Sequence, residues 1–167
     1  LPAGFYYKTF MWPKSFWYKV YEPFIRKAAG FSVASTKHDK ERYEHKYEYC
    51  DLLITGSGPS GLASAYAAAK NGARVILAED KARHGGTLLT SDVNIGNQSG
   101  KEWADGIISE LKEMPNVIVK NRSQVFGYYD HNMLVMSERI SDHLPKTKKF
   151  HPKQRLWYIR AKEVLIS

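Results

Sequence analysis

The sequence predicts an α/β fold: a parallel sheet with helices packed on it, an inserted antiparallel β-meander, and an aromatic-rich N-terminal extension. Three observations carry the prediction. Residues 51–79 run strand, glycine turn, helix, strand, within about thirty residues, the length of one βαβ unit. Residues 101–119 then repeat helix and strand. Three β-rich stretches separated by turn residues occupy the region from about 123 to 160.

Each element has its own reason. Leu52, Leu53 and Ile54 form a short apolar run suited to a buried parallel strand. Gly56-x-Gly58-x-x-Gly61 turns the chain into an Ala-rich helix over 62–70, and Ala65 gives that helix a small face for the sheet. Gly56 permits the tight turn, Gly58 admits a pyrophosphate to the backbone, and Gly61 allows close helix–strand packing. Ser57, Pro59 and Ser60 lie between the glycines, and the helix N-terminus behind them offers unpaired N–H groups to phosphate. Gly72-Ala73 ends the helix, and residues 74–78 form the second strand. Glu79 stands at its end, where an acid accepts hydrogen bonds from a ribose diol. The loop that follows holds Asp80, Lys81, Gly85, Gly86 and Thr87, and its paired glycines suit a backbone passing close to a bound cofactor. A strand-to-helix turn that binds nothing has the same glycines. The order of strand, helix, strand and acid favours the dinucleotide-binding, Rossmann-like reading.

Further on, Trp103, Ile107, Ile108 and Leu111 fall at helical spacing over 101–114, with Pro115 beyond them, and 117–119 is a third parallel strand. Residues 125–129, 133–140 and 156–160 read as the meander, with Asp130-His131-Asn132 as a tight turn and 145–153 as the longer connection. Residues 163–167 begin another apolar strand.

The net charge of +8 is uneven: +4 over residues 1–49, −2 over 50–143 and +6 over 144–167. The nucleotide-binding unit is therefore slightly acidic, which argues against a nucleic-acid face on it. Lys146, Lys148, Lys149, Lys153 and Arg155 around Pro145 and Pro152 read as a solvated loop. No apolar run approaches the roughly 18 residues of a membrane span. The single cysteine, Cys50, excludes an internal disulfide and fits a reducing, cytoplasmic setting. The start lacks a signal peptide's basic and apolar regions and reads as the middle of a longer polypeptide.

Residues 1–49 are taken as an extension and linker, and 50–167 as the dinucleotide-binding domain. Phe5, Tyr6, Tyr7, Phe10, Trp12, Phe16, Trp17, Tyr18, Tyr21 and Phe24 crowd the first part, where Pro13 and Pro23 are expected to interrupt any long helix. So many aromatics call for another surface to pack on. Residues 32–49 are polar and read as an arm leading into the first strand; His38 and His45 lack the company of metal ligands. No catalytic side chain and no metal ligand set is found.

The arrangement resembles the glutathione-reductase-like flavoproteins, in which a small meander sits between the third and fourth parallel strands. More specifically, it resembles the α-subunit family of heterotetrameric sarcosine oxidases. The residues that carry this are 1–13, Tyr21-Glu22-Pro23, Ile25-Arg26, Ala28-Ala29-Gly30, Arg42-Tyr43-Glu44-His45, 126–132, Asp142-His143-Leu144-Pro145 and Gln154-Arg155-Leu156-Trp157. The resemblance implies NAD in this domain, with FAD as the alternative, and FAD and FMN elsewhere in the complex. It also implies β, γ and δ subunits as partners. The implied activity is oxidation of sarcosine to glycine, with hydrogen peroxide formed and a one-carbon unit passed to tetrahydrofolate through a C-terminal domain. The cofactor positions carried over are Gly56, Gly58, Gly61 and Glu79, with Ser57, Pro59 and Ser60 between the glycines meeting phosphate through backbone groups, Gly85 and Gly86 beside the pyrophosphate and Val125 meeting adenine by its main chain. Related sequences often have Asp then Glu where this chain has Glu79 then Asp80, so which acid meets the ribose stays open. An acid there repels a 2′-phosphate, favouring NAD or FAD over NADP. An FAD-binding part of another amine or proline dehydrogenase subunit, an independent reductase, and an assembly module with a structural nucleotide are the competing readings.

Overall fold

The computed structural model describes residues 12–31, 34–145 and 150–167. Phe5, Tyr6, Tyr7 and Phe10 of the aromatic cluster, and Lys146, Lys148 and Lys149 of the basic cluster, lie outside the described residues. Contacts divide the chain into two units, Leu1–Lys40 and Glu41–Ser167.

In the first unit, a π-helical turn over Trp17–Tyr21 runs directly into helix α1 (Glu22–Ala28). Pro23 does not interrupt this helix as expected. It occupies the first turn of α1, and just before it the Glu22 N–H bonds five residues back, to the Trp17 carbonyl. The ladder widens where proline has no N–H to contribute. Gly30 (φ +75°) ends the helix, with the N–H of Phe31 on the Arg26 carbonyl at 3.0 Å and that of Gly30 on Lys27 at 3.1 Å. This is the paired-bond stop that a left-handed glycine permits.

The second unit is built on β1 (Tyr43–Thr55), α2 (Pro59–Lys70), β2 (Val75–Ala78), the short ladder β3 (Asn94–Ile95) and β4 (Gln98–Ser99), α3 (Gly100–Glu113), β5 (Val117–Lys120), β6 (Ser123–Tyr129), β7 (Met133–Arg139) and β8 (Gln154–Ile166). The main sheet has the order β5-β2-β1-β8-β7-β6. Strands β5, β2, β1 and β8 are parallel, and β7 and β6 continue antiparallel. Alternation sends Ile54, Val75 and Leu77 to a core beneath the helices, with Leu62, Ala65 and Leu111. Their neighbours Leu53 and Ile76 join Leu134, Met136, Trp157 and Ile159 on the opposite side. Both faces of the parallel strands are thus covered, which is why they read as continuous apolar runs. Helix α3 begins on a capping box in which the Ser99 hydroxyl accepts the Glu102 N–H and Glu102 accepts the Ser99 N–H.

Three expectations change. Residues 43–49 are the start of β1 rather than an arm, because their Tyr/charge alternation is a half-buried strand pattern and β8 supplies a partner along the whole length. The stretches 156–160 and 163–166 are one strand, since Ala161-Lys162 contains no turn former and β1 is a continuous template beside them. Arg155 is not in a solvated loop. It sits in register between Glu44 on β1 and Glu138 on β7, at 2.7 and 3.2 Å.

Strand β1 also contains an irregularity. The N–H groups of Asp51 and Leu52 both donate to the Arg74 carbonyl, at 2.9 and 3.1 Å. Cys50 and Leu53, three residues apart, therefore face the same core. Asp51 is held there by the Lys162 ammonium at 2.8 Å and the Arg74 N–H at 2.8 Å.

Candidate dinucleotide-binding site

The polypeptide winds from β1 to β2 and β5 on one side, then returns to β8 on the other side of β1. The crevice beyond the C-terminal end of β1 is thus a topological switch point, where open α/β sheets bind ligands. Two backbone bonds bring the meander to this point: the Glu79 N–H donates to Lys120 O at 2.9 Å, and the Ser123 N–H donates to Glu79 O at 2.8 Å. They set the start of β6 beside the end of β2. A cleft of about 270 Å³ results, lined by Thr55, Gly56, Asp80, Ser123, Gln124 and Val125 along with Ala78 and Ser167.

The three glycines of the turn have separate structural reasons. Gly56 has φ +98°, and a Cβ there would meet the Ser167 carbonyl oxygen at 2.5 Å. A Cβ on Gly61 would run into the Gly56 carbonyl oxygen. Both glycines are demanded by packing. Gly58 differs: its backbone is extended (φ −69°, ψ −176°) and a Cβ would point into open space. The room left there suits a phosphate approaching the N-terminus of α2, where Pro59 occupies the first turn and Ser60 and Gly61 offer N–H groups ahead of the first helical bond, Leu62 N–H to Gly58 O. The residues present therefore fit a pyrophosphate.

The second loop closes on the first. The Gly85 N–H donates to Ser57 O at 2.9 Å, and a Cβ on Gly86 (φ +53°) would meet Gly58 Cα at 2.9 Å. Thr87 belongs to a 3-10 turn over Gly86–Leu89; it is exposed, and its carbonyl accepts the N–H groups of Thr90 and Ser91. The Lys81 ammonium reaches Asp80 at 3.2 Å. Ser60 and Ser167 share a hydrogen bond between hydroxyls at 2.6 Å.

The two adjacent acids have different surroundings. Glu79 is buried, and it accepts the Ser57 N–H (2.9 Å), the Ser57 hydroxyl (2.5 Å) and the Lys81 N–H (3.0 Å). With its proton on Glu79, Ser57 Oγ is left to accept from His84 Nδ1, 3.1 Å away. Burial pushes the His84 imidazole below its ordinary range, and the nearby Glu79 charge partly offsets this. Asp80 is exposed, and hydrogen bonding to the Glu79 carboxyl and then to Lys81 holds its carboxyl below the usual aspartate range.

The structure gathers Gly56, Ser57, Gly58, Pro59, Ser60, Gly61, Glu79, Asp80, Lys81, Gly85, Gly86 and Val125 around the ends of β1 and β2. Sequence reasoning missed Thr55, Ser123, Gln124 and Ser167 as lining, and His84 as a partner of Ser57. His84 immediately precedes the paired glycines, which was a usable signal. Ser123 and Gln124 had none, since only the wrapping of β6 onto β2 brings them there. Among the described residues, no three His, Cys, Asp or Glu side chains gather as a metal site, and no helix is long and apolar enough to cross a membrane.

Comparison with known proteins agrees with this geometry. Residues 51–138 match the FAD dependent oxidoreductase family. The sarcosine oxidase α subunit of Rhizobium meliloti (strain 1021) is 44% identical over all 167 residues, and this chain spans 17% of its length. The corresponding subunit of Corynebacterium sp. (strain U-96) is 33% identical over 83% of the chain and 15% of its own length. Among solved structures, L-proline dehydrogenase from P. horikoshii superposes with a TM-score of 0.55 at 18% identity, over 80% of this chain and 25% of that one, a likeness of fold. The chain belongs to the FAD-dependent oxidoreductase family and is similar to sarcosine oxidase α subunits, along its whole length in the Rhizobium meliloti case.

Proposed function

We propose that residues 50–167 hold the ADP half of a dinucleotide within the α subunit of a sarcosine oxidase complex. The observation that carries the nucleotide reading is the open space at Gly58, together with a cleft at the switch point of the sheet that Asp80 helps to line. The 44% identity over all 167 residues to a sarcosine oxidase α subunit supports the wider assignment. On this reading the native complex demethylates sarcosine oxidatively to glycine, forms hydrogen peroxide, and passes a one-carbon unit to tetrahydrofolate in the cytoplasm, with β, γ and δ subunits as partners.

The chain's own residues would bind and orient. The N-terminus of α2 meets the pyrophosphate, the acids at the end of β2 meet the ribose, and Ser123 to Val125 flank the adenine. NAD is the occupant we propose, from the family resemblance of the sequence; the family match to FAD dependent oxidoreductases favours FAD. Either group supplies two-electron redox chemistry when bound.

The test is to purify the native polypeptide carrying this sequence with its accompanying subunits, denature it, and identify released nucleotides by mass spectrometry. Peroxide formation from sarcosine is assayed in parallel, with and without tetrahydrofolate. NAD together with FAD and protein-bound flavin, plus sarcosine-dependent peroxide, is the expected result. FAD as the only dinucleotide, with no response to sarcosine, would move the protein to another amine or proline dehydrogenase.

A further inference from the structure

Of the six asparagines in the chain, only Asn71 is followed by glycine. Among asparagine contexts this pair loses its side-chain amide fastest, because the glycine nitrogen has no Cβ beside it to block attack on the asparagine Cγ. Asn71 and Gly72 are both exposed, so water and base reach them. They stand where α2 stops and the chain turns towards β2.

The local geometry holds this reaction back at each of its atoms. Asn71 has ψ 13°, which turns the Gly72 nitrogen away from the Asn71 side chain. The Gly72 N–H is engaged by Ala69 O at 3.0 Å, and the departing amide, Asn71 Nδ2, donates to Ala67 O at 2.8 Å. Gly72, at φ +83°, lets the Ala73 N–H reach back to Ala68 O at 3.1 Å and close the turn. A second asparagine clamps the turn from the start of β5. Asn116 Nδ2 donates to Ala69 O at 3.0 Å and to Ala73 O at 2.7 Å. We propose that Asn71-Gly72 is a deamidation site that this cap keeps shut, and that opening of the last turn of α2 admits the reaction.

The chemistry is a hydrolysis in two stages. Once the turn opens, the Gly72 nitrogen loses its proton to solvent and attacks Asn71 Cγ. The new C–N bond closes a succinimide ring, and the side-chain nitrogen leaves as ammonia. Water then opens the ring at either carbonyl, giving aspartate or isoaspartate. Neither product restores the cap. A carboxylate has no proton for Ala67 O, and it places negative charge at the negative end of the α2 dipole. Isoaspartate also adds a methylene to the backbone between α2 and β2. The site therefore records openings of the βαβ unit.

The experiment incubates the native polypeptide with its subunits at mildly alkaline pH, beside the same sample in denaturant. Peptide mass spectrometry follows the mass gain at each asparagine, and isoaspartyl methyltransferase labelling identifies the isomer. In denaturant, Asn71 should convert before the other asparagines, which all precede larger residues. In the native sample it should convert about 10-fold or more slowly, as a reaction confined to a locally opened state does. Asn116→Ala should speed the native reaction by about 5-fold or more, the worth of one net hydrogen bond, and leave the denatured rate unchanged. Native conversion as fast as in denaturant, or a native rate indifferent to Asn116→Ala, overturns the closed cap. Another asparagine converting first in denaturant overturns the site itself. Should Asn116→Ala fail to fold, hydrogen exchange of the unaltered protein decides. Conversion should rise with exchange at the Gly72 and Ala73 amides as mild denaturant is added, and a rise without that exchange overturns the proposal.

Discussion

Cys50 and Glu138 show how burial alone and burial with partners lead to opposite chemistry. Cys50 is fully buried, and desolvation, with the Asp51 charge next, pushes its thiol up to about 12. A thiol in that state has almost no nucleophilic thiolate at neutral pH. Iodoacetamide should leave Cys50 unmodified in the folded protein and alkylate it once denaturant is added, a difference that peptide mass spectrometry reads directly. Glu138 is also nearly buried, and burial by itself would raise its pKa. Hydrogen bonds from Lys120 (2.9 Å) and Trp157 Nε1 (2.7 Å), with the charges of Lys120 and Arg155, outweigh that and hold the carboxyl below its ordinary range. Trp157 in turn has the Lys46 ammonium 4.3 Å from its ring centre. Glu138→Ala should cost about 3 kcal/mol in denaturant unfolding, because it strips a shared partner from two cations and a buried indole. The linkage sign follows from the depressed folded-state pKa. Glu138 contributes fully above its unfolded value of 4.5, and the contribution is lost as pH falls through the lower folded value. Glu138→Gln should therefore flatten the acid limb of the stability curve.

At the scale of the element, the glycine turn divides into positions that the fold demands and one that packing leaves open, which on the proposed reading serves the ligand. Gly61→Ala drives a methyl into the Gly56 carbonyl and should lower stability by about 1–3 kcal/mol, as overpacking does. Gly58→Ala meets nothing and adopts an unstrained backbone, so its unfolding midpoint should stay within about 0.5 kcal/mol of the original. Its dinucleotide content, measured on the purified native protein, should nonetheless fall. If Gly58→Ala unfolds as easily as Gly61→Ala, the assignment of separate roles is wrong. The irregularity at Asp51 is a second element-scale device. It lets one strand run from beside the meander, where its tyrosines are exposed, into a centre buried on both faces. Arg74, whose guanidinium carbon lies 4.3 Å from the Tyr49 ring centre, covers that transition.

Across the whole second unit, β1 and β8 are the spine to which the parallel layer and the meander are both attached. Their pairing extends from Tyr43 with Gln154 to Thr55 with Ile166. Hydrogen exchange should reflect the number of neighbours. Amides of residues 52–55 lie between β2 and β8 and should exchange slowest. Those of 43–49 have β8 on one side and should be intermediate, yet slower than residues 34–41, which are outside any strand. Equal, fast exchange over 34–49 would return the first seven residues of β1 to the status of an arm.

Much of this was legible in the residues themselves. The apolar runs at 52–54, 75–78 and 117–119, the glycine spacing and the stop at Gly72 define a βαβ unit through local sterics and burial, and these are written in consecutive residues. The helix ending before Pro115 and the turn at Asp130-His131-Asn132 are equally local. Tertiary structure decided the rest, because the deciding partners are distant in sequence. A tyrosine and charge alternation became strand only because β8 lies beside it, and Arg155 became a half-buried bridge only because Glu44 and Glu138 flank it in register. The two acids at the end of β2 are indistinguishable as letters. Their surroundings separate only when Ser57 folds back onto one of them and the returning β6 leaves the other facing a cleft.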